Sequence, residues 1–434
     1  MTSSANDHRP QRPRQAGAHP APPAPRVRRP GRASLHALPP LAVALSALAL
    51  ISCVGAAGRP GAAGQSGGRS PAAPTTDASG SAGSPSAVTS PAALPNLTPA
   101  QKAGQRVIYS YSGLQPPATL LSWIRHGQVG GVIFFGGNIS SPAQIAGVIK
   151  QLDQANASAS NPLRAVPLLL MTDQEGGVVR RLPGRPFASE KQIGEAAHPA
   201  AAAAAAGTGA GQNLAGVGMN VNLAPVLDVY RTAGDFDDQF GRSYSTSPQV
   251  VSALGADFIK AQQATGVAAT AKHFPGLGAA SSTQDTDARP VTLNVGLHAL
   301  RTIDEYPYRA AIAAGVKLVM VSWAVYPALA RGTPAGLSSA VVNGELRNRL
   351  GFRGVTITDA LEAGALQAFG TTGHRATLAA RAGMDLILCS GQRASQGRLA
   401  RSALATALSS GALSASVFDA ALTRVIALRT GLRG

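Results

Sequence analysis

The sequence predicts an α/β protein folded as a (β/α)8 TIM-type barrel, and three observations predict it. Eight short apolar runs recur after residue 97 and alternate with Ala-rich stretches of helical length. Strong polar residues collect at the carboxyl ends of these runs. The chain of 434 residues is 45 % hydrophobic and only 14 % charged, enough apolar material for a large core. Eight strand–helix units in segment 97–434 fit one barrel with insertions.

The runs are Val107–Tyr111, Gly131–Phe135, Pro167–Asp173, Met219–Val229, Val267–His273, Lys317–Trp323, Gly354–Asp359 and Met384–Cys389. None alternates apolar with polar, which is the pattern of parallel strands buried on both faces. Between them Pro142–Asn156, Ala200–Ala215, Ser247–Thr265, Leu297–Ala314, Ser339–Leu350 and Thr372–Ala382 have helical length and composition. An open doubly wound sheet would show a Gly-rich phosphate turn after its first strand. Nothing of that kind follows Val107–Tyr111.

The amino-terminal segment reads as an export signal. Residues 1–52 hold seven Arg, no Lys and one acid, Asp7, a net charge of +6 out of +17 for the chain. An apolar run of about 12 residues, Leu41 to Ser52, follows. It is shorter than the roughly 20 residues that span a bilayer, and a basic region before a short apolar one is a secretory signal. The run ends in Leu50-Ile51-Ser52-Cys53, which resembles a bacterial lipobox and makes Cys53 the lipidation site. Segment 53–96 is Gly, Ala, Ser, Pro and Thr with few large apolar residues, a flexible tether. The reading is an exported protein held at the membrane by lipid alone, on the extracytoplasmic face.

Composition excludes several classes. Two cysteines, Cys53 and Cys389, make neither a disulfide framework nor a cysteine-rich zinc module. Arg outnumbers Lys 32 to 6, and no basic block with interleaved aromatics follows residue 52. Nucleic acid is therefore not an expected partner.

The strand ends carry the chemistry. Run three ends in Asp173-Gln174-Glu175-Gly176-Gly177, and run four passes through Asn222-Leu223-Ala224-Pro225-Val226-Leu227-Asp228. Run five ends in Lys272-His273-Phe274-Pro275-Gly276, and run seven in Thr358-Asp359-Ala360. In a barrel these ends share one mouth, where active sites are built. There is no Gly-x-Ser-x-Gly elbow and no His or Cys cluster suggesting a metal. Carboxylates with Lys, His and Arg suit a polyhydroxylated ligand, and glycoside cleavage needs a carboxylate at the anomeric carbon and a proton donor at the leaving oxygen.

These segments, with Gly241-Arg242-Ser243 and Leu350-Gly351-Phe352, resemble glycoside hydrolase family 3 in its single-domain β-N-acetylglucosaminidase form, here in the style of an actinobacterial lipoprotein. The resemblance runs from about residue 97 to 434. It implies a retaining exo-hydrolase that releases terminal N-acetylglucosamine from peptidoglycan fragments or other envelope glycans. It implies no metal or organic cofactor, and the chain is taken as a monomer. Asp359 would be the nucleophile. Asp173 and Arg181 would hold distal hydroxyls, with Arg242, Lys272 and His273 completing the sugar pocket. Two departures stand out. Asp285-Thr286-Asp287 falls where the family carries Asp-Ser-His, so Asp287 would replace the His acid/base; Trp323 stands where the family often has His. The alternatives are a β-glucosidase, a broader β-hexosaminidase and a weakened sugar-binding lipoprotein.

Other residues have plainer readings. Asp228 reads as a hydrogen-bonding anchor, Glu175 as a partner of loop amides, and Cys389 as a small core residue. Glu362 reads as the first turn of the helix after strand seven, where negative charge is favourable. Gly276, Gly278 and the small-residue run Ala279 to Thr283 read as a loop able to close over substrate.

Overall fold

The computed structural model describes residues 96–432. The expected signal 1–52, the expected lipidation site Cys53 and the expected tether as far as residue 95 lie outside the described residues.

The eight apolar runs each supply one strand: β1 (Val107–Tyr109), β2 (Gly131–Ile133), β3 (Leu169–Thr172), β4 (Val221–Asn222), β5 (Ala268–Phe274), β6 (Leu318–Val321), β7 (Val355–Thr358) and β8 (Ile387–Leu388). They pair in the order β8-β1-β2-β3-β4-β5-β6-β7, every neighbour parallel. A parallel bridge between Ile357 and Leu386 joins β7 to β8. There Thr358 N–H donates to the Leu386 carbonyl at 3.0 Å, which closes the ring.

Strand side chains alternate in direction, and both directions are apolar here. Ile108, Ile133, Leu169, Met171, Leu318, Met320, Val355 and Ile357 form one cluster inside the ring. Their neighbours Val107, Tyr109, Val132, Leu170, Val319 and Val321 belong to the larger cluster beneath the helices. Burial of each such side chain is worth roughly 1.5–3 kcal/mol. That demand acts on both faces, so no hydrophobic period of two survives in the sequence.

Helices Pro142–Asn156 and Thr372–Ala382 have the bounds the sequence predicts, capped by Ser141 and Thr371. The Ala-rich helix Pro199–Ala215 packs on Pro248–Gln263. A Cβ on Gly207 would lie 2.3 Å from the Phe258 carbonyl oxygen, so the small residues there permit close helix contact. The 297–314 stretch is helical in three pieces, Leu297–Ala299, the wide-turned Leu300–Asp304 and Tyr306–Ala313. Among the described residues no helix is long and apolar enough to cross a membrane.

The amino-terminal end of the ring holds a buried ionic cluster. Asp385, just before β8, is fully buried. Its carboxylate pairs with Arg347 at 2.5 Å and Arg424 at 2.8 Å and accepts the Thr356 amide at 2.9 Å. Arg106 Nε donates to the Asp385 carbonyl at 3.0 Å.

Candidate active site

At the opposite, carboxyl-terminal end lies a cavity of about 350 Å³. The structure brings Asp173, Arg181, Arg242, Lys272, His273, Asp287 and Asp359 together in its lining. Glu175, Phe236, Asp285, Met320, Glu362 and Ser390 line it too.

The Asp-Gln-Glu-Gly-Gly segment is a reversal. Gln174–Gly176 pairs antiparallel with Val179–Arg180. Gly176 and Gly177 have φ of 120° and 54°, backbone that glycine adopts without steric cost. A Cβ on Gly176 would also meet the Ala188 carbonyl oxygen at 2.2 Å. The turn returns Arg181 to β3, its N–H donating to the Asp173 carbonyl at 3.2 Å. Arg181 Nε is buried with no hydrogen-bond partner within the protein, a donor open to a ligand.

Glu175 does not bond loop amides as the sequence suggests. Its carboxylate accepts from Arg242 Nε at 2.9 Å and Nη2 at 3.0 Å and pairs with Lys272 Nζ at 2.7 Å. Lys272 also binds Asp173 at 2.8 Å, and Arg242 binds Asp237 at 2.8 Å. The network is charge-assisted throughout. Burial would raise the Glu175 carboxyl, but Arg242 and Lys272 outweigh it and hold the group at about 2. Burial would lower the Lys272 ammonium, but Asp173 and Glu175 keep it above the usual lysine range. The pocket floor is thus a fixed lattice of opposite charges that presents polar edges to a ligand.

Asp228 is the hydrogen-bonding anchor the sequence describes. It accepts from His273 Nδ1 at 2.7 Å, from the His273 amide at 3.3 Å and from the Leu277 amide at 2.5 Å. Burial would raise the Asp228 carboxyl, but His273 and these amides bring it below the usual range. Burial opposes charge on His273 as well, and Asp228 more than compensates, so its imidazole is raised. Asp228, Asp237 and His273 also place ligand-type atoms within 4.8 Å of one another, a grouping that no motif in the sequence marks. This trio could hold a cation, although Asp228 and His273 already bond each other and Asp237 already bonds Arg242.

The loop after β5 is pinned rather than free. Phe236 N–H donates to the Ala280 carbonyl at 2.9 Å, and Gln239 to Ser282 at 3.0 Å. A Cβ on Gly278 would collide with the Val229 backbone at 2.2 Å, so that glycine serves close packing. The loop then clamps onto the segment after β7: Gly364 N–H donates to the Asp287 carbonyl at 2.7 Å and Ala365 to Thr286 at 3.0 Å. This contact sets Asp287 beside Asp359. Repulsion from Asp359, then partial burial and the Asp285 charge, lift the Asp287 carboxyl to about 7. The shift is present without any loop movement.

Asp359 ends β7, half-buried, and caps its own turn through the Ala360 amide at 2.7 Å. Trp323, fully buried at the end of β6, donates its indole N–H to the Ala360 carbonyl at 2.8 Å. The residue flagged as a departure therefore braces the segment carrying Asp359. Glu362 starts no α-helix. It lies in a turn before the short helical segment Gly364–Phe369 and faces the cavity. Ser390 Oγ donates to it at 2.7 Å and Gln396 Nε2 at 2.8 Å. Cys389 is buried in the core.

A parallel ring with a charged cavity at the carboxyl ends of its strands is the arrangement in which barrel enzymes build their active sites. Residues 100–428 match the glycosyl hydrolase family 3 N-terminal domain, and the chain belongs to that family. It is 46 % identical over 349 residues to a secreted glycosyl hydrolase of Arthroderma benhamiae, covering 80 % of this chain and 97 % of that one. Among solved structures it is similar to a family 3 β-N-acetylglucosaminidase from Paenibacillus sp., with 37 % identity and a TM-score of 0.73. That likeness covers 78 % of this chain and 64 % of the Paenibacillus one, so the chain spans less than two-thirds of that enzyme. It is also similar to a β-N-acetylhexosaminidase from Beutenbergia cavernae, with 31 % identity, a TM-score of 0.69, and coverage of 77 % and 99 %.

Proposed function

We propose that this family 3 protein is a retaining exo-β-N-acetylhexosaminidase acting on peptidoglycan fragments or other envelope glycans. The observation that carries the reading is the pairing of Asp287 with Asp359 in one cavity, the first raised to about 7 by the second. A carboxyl that keeps its proton near neutral pH suits the acid of a glycosidase, and a second carboxyl group facing the same cavity suits the nucleophile. The hexosaminidase relatives support the choice of sugar.

In this reading Asp173, Arg181, Lys272, Arg242 and His273 hold the terminal sugar by its hydroxyls. The Asp359 carboxylate attacks the anomeric carbon, forming a C–O bond as the glycosidic bond breaks. Asp287 gives its proton to the leaving oxygen. Asp287, now a carboxylate, takes a proton from water as that water displaces Asp359. Two displacements retain the configuration, and Asp287 ends protonated, ready for the next cycle.

The test sets nitrophenyl-β-N-acetylglucosaminide beside nitrophenyl-β-glucoside and follows the product anomer by NMR. Preferred cleavage of the first, with β-product formed initially, is expected. Preferred cleavage of the glucoside overturns the sugar assignment, and initial α-product overturns retention.

The domain 97–434 is proposed to act as a monomer, exported and lipid-anchored at Cys53. The secreted Arthroderma relative supports export. Mass spectrometry of the mature amino terminus tests the anchor: a diacylated Cys53 is expected, and any other unacylated terminus overturns it.

A further inference from the structure

The cavity has two chemically different sides. Its lysine and arginine groups, Arg181, Arg242 and Lys272, come from the consecutive strands β3, β4 and β5 and the segments that follow them. Lys272 and Arg242 are already bound to Asp173, Glu175 and Asp237. Across the ring, the loop clamped onto β7 contributes Asp285 and Asp287, and the segment after β7 contributes Asp359 and Glu362. The loop carries Arg289 and the helix that follows the β7 segment carries Arg375, and neither lines the cavity. Arg289 donates to the Thr283 carbonyl at 2.6 Å, and Arg375 donates to the carbonyls of Leu361 at 3.1 Å and Gly370 at 3.0 Å.

Glu362 has no part in the proton and nucleophile steps proposed above. Its carboxylate is exposed at the cavity wall and fixed by Ser390 Oγ, by the Ser390 amide at 3.3 Å and by Gln396. Gln396 is itself held by the Gly391 amide at 2.9 Å. All three of these donors are uncharged, and the Arg375 guanidinium acts on Glu362 only through space, so the carboxylate is oriented without an ion pair.

We propose that the leaving-group side of the cavity is an acidic subsite, with Glu362 and Asp285 as its specificity residues. It selects a leaving sugar that is uncharged or carries a free amine and rejects one with a carboxylate. This rests on the reading that Asp287 stands at the leaving oxygen. A carboxylate brought among several like charges in a confined, partly dry site is repelled, and an ammonium is attracted. Among envelope glycans the inference favours N-acetylglucosamine or glucosamine as the leaving residue. It disfavours a muramic acid whose lactyl carboxylate is free.

The experiment compares kcat/KM for four disaccharides sharing a β-linked terminal N-acetylglucosamine. The leaving sugars are N-acetylglucosamine, glucosamine, N-acetylmuramic acid and the methyl amide of N-acetylmuramic acid, which keeps the lactyl bulk without its charge. At pH 6 and low salt the free acid should be about tenfold slower than its amide. Half-molar salt should narrow that gap. Glu362→Gln should narrow it several-fold, and glucosamine should lose ground to N-acetylglucosamine in the same variant. Equal rates for acid and amide, or a gap indifferent to both salt and Glu362→Gln, overturn the inference and leave the hexosaminidase reading standing. The salt series uses the unaltered protein, so it decides the matter even if Glu362→Gln fails to fold. No turnover of any disaccharide or of the nitrophenyl-β-N-acetylglucosaminide overturns both.

Discussion

The two ends of the ring use the same residue types to opposite ends. At the amino-terminal end the single carboxylate Asp385 meets two guanidinium groups and a backbone amide, so its negative charge is matched within the protein. At the mouth, Asp285, Asp287, Asp359 and Glu362 converge without a cation bonded to any of them among the described residues. A charge fully matched by partners holds a fold together. Carboxylates crowded without a counter-charge cost stability, and the raised carboxyl of Asp287 among them is what acid–base chemistry requires. The comparison separates positions whose loss should unfold the protein from positions whose loss should silence it.

The largest effect is expected at Asp359. Asp359→Asn should lower turnover by on the order of 10⁴-fold or more while the thermal midpoint holds or rises, since a repulsive charge is removed. Steady-state assays and thermal denaturation of one preparation check both halves. A 2-fluoro sugar should label Asp359 in the unaltered protein. Near-normal turnover would break the contrast at its centre.

Asp287→Ala should cost about 10²–10⁴-fold on natural glycans, whose leaving oxygen needs a proton. Dinitrophenyl glycosides should still glycosylate the protein, and azide should then speed turnover and yield a β-glycosyl azide. The sign of the pH dependence follows from the raised carboxyl. Asp287 is protonated below about 7, so the acid-dependent step should run there and fade as pH rises through that value. Asp285→Asn removes one source of repulsion and should move this alkaline limb to lower pH. An unmoved limb would show that some other group titrates.

At the opposite end Asp385→Asn should cost about 3–5 kcal/mol of stability, because Arg347 and Arg424 lose a common counter-charge in a buried setting. Denaturant unfolding reads that loss, and kcat/KM of the remaining folded protein should stay within about twofold. A large kinetic loss with intact stability would erase the distinction between the two ends. The smallest effect is expected at Trp323→Phe, which deletes the indole bond to Ala360 and leaves most of the packing. One hydrogen bond of about 0.5–1.5 kcal/mol implies roughly a two- to thirteenfold fall in kcat with little change in KM. Equal falls in stability and kcat would mark Trp323 as core alone.

The sequence by itself determined the ring and the side of it that carries chemistry. Strands buried on both faces must be apolar on both faces, so they stand out as continuous runs in one dimension, and polar residues at their ends are conspicuous by contrast. Asp173, Lys272, His273 and Asp359 are legible for that reason. What only the tertiary structure decided is who meets whom. Arg242 reaches Glu175 across 67 residues and Lys272 reaches Asp173 across 99. No local pattern encodes such meetings, so Glu175 looked like a loop residue and Glu362 like the start of a helix. The raised carboxyl of Asp287 belongs to the same class. Electrostatic energy depends on through-space distance and local solvent, both set when the loop after β5 clamps onto the segment after β7. A sequence can place a carboxylate at a mouth, and only the folded chain decides which charges stand beside it.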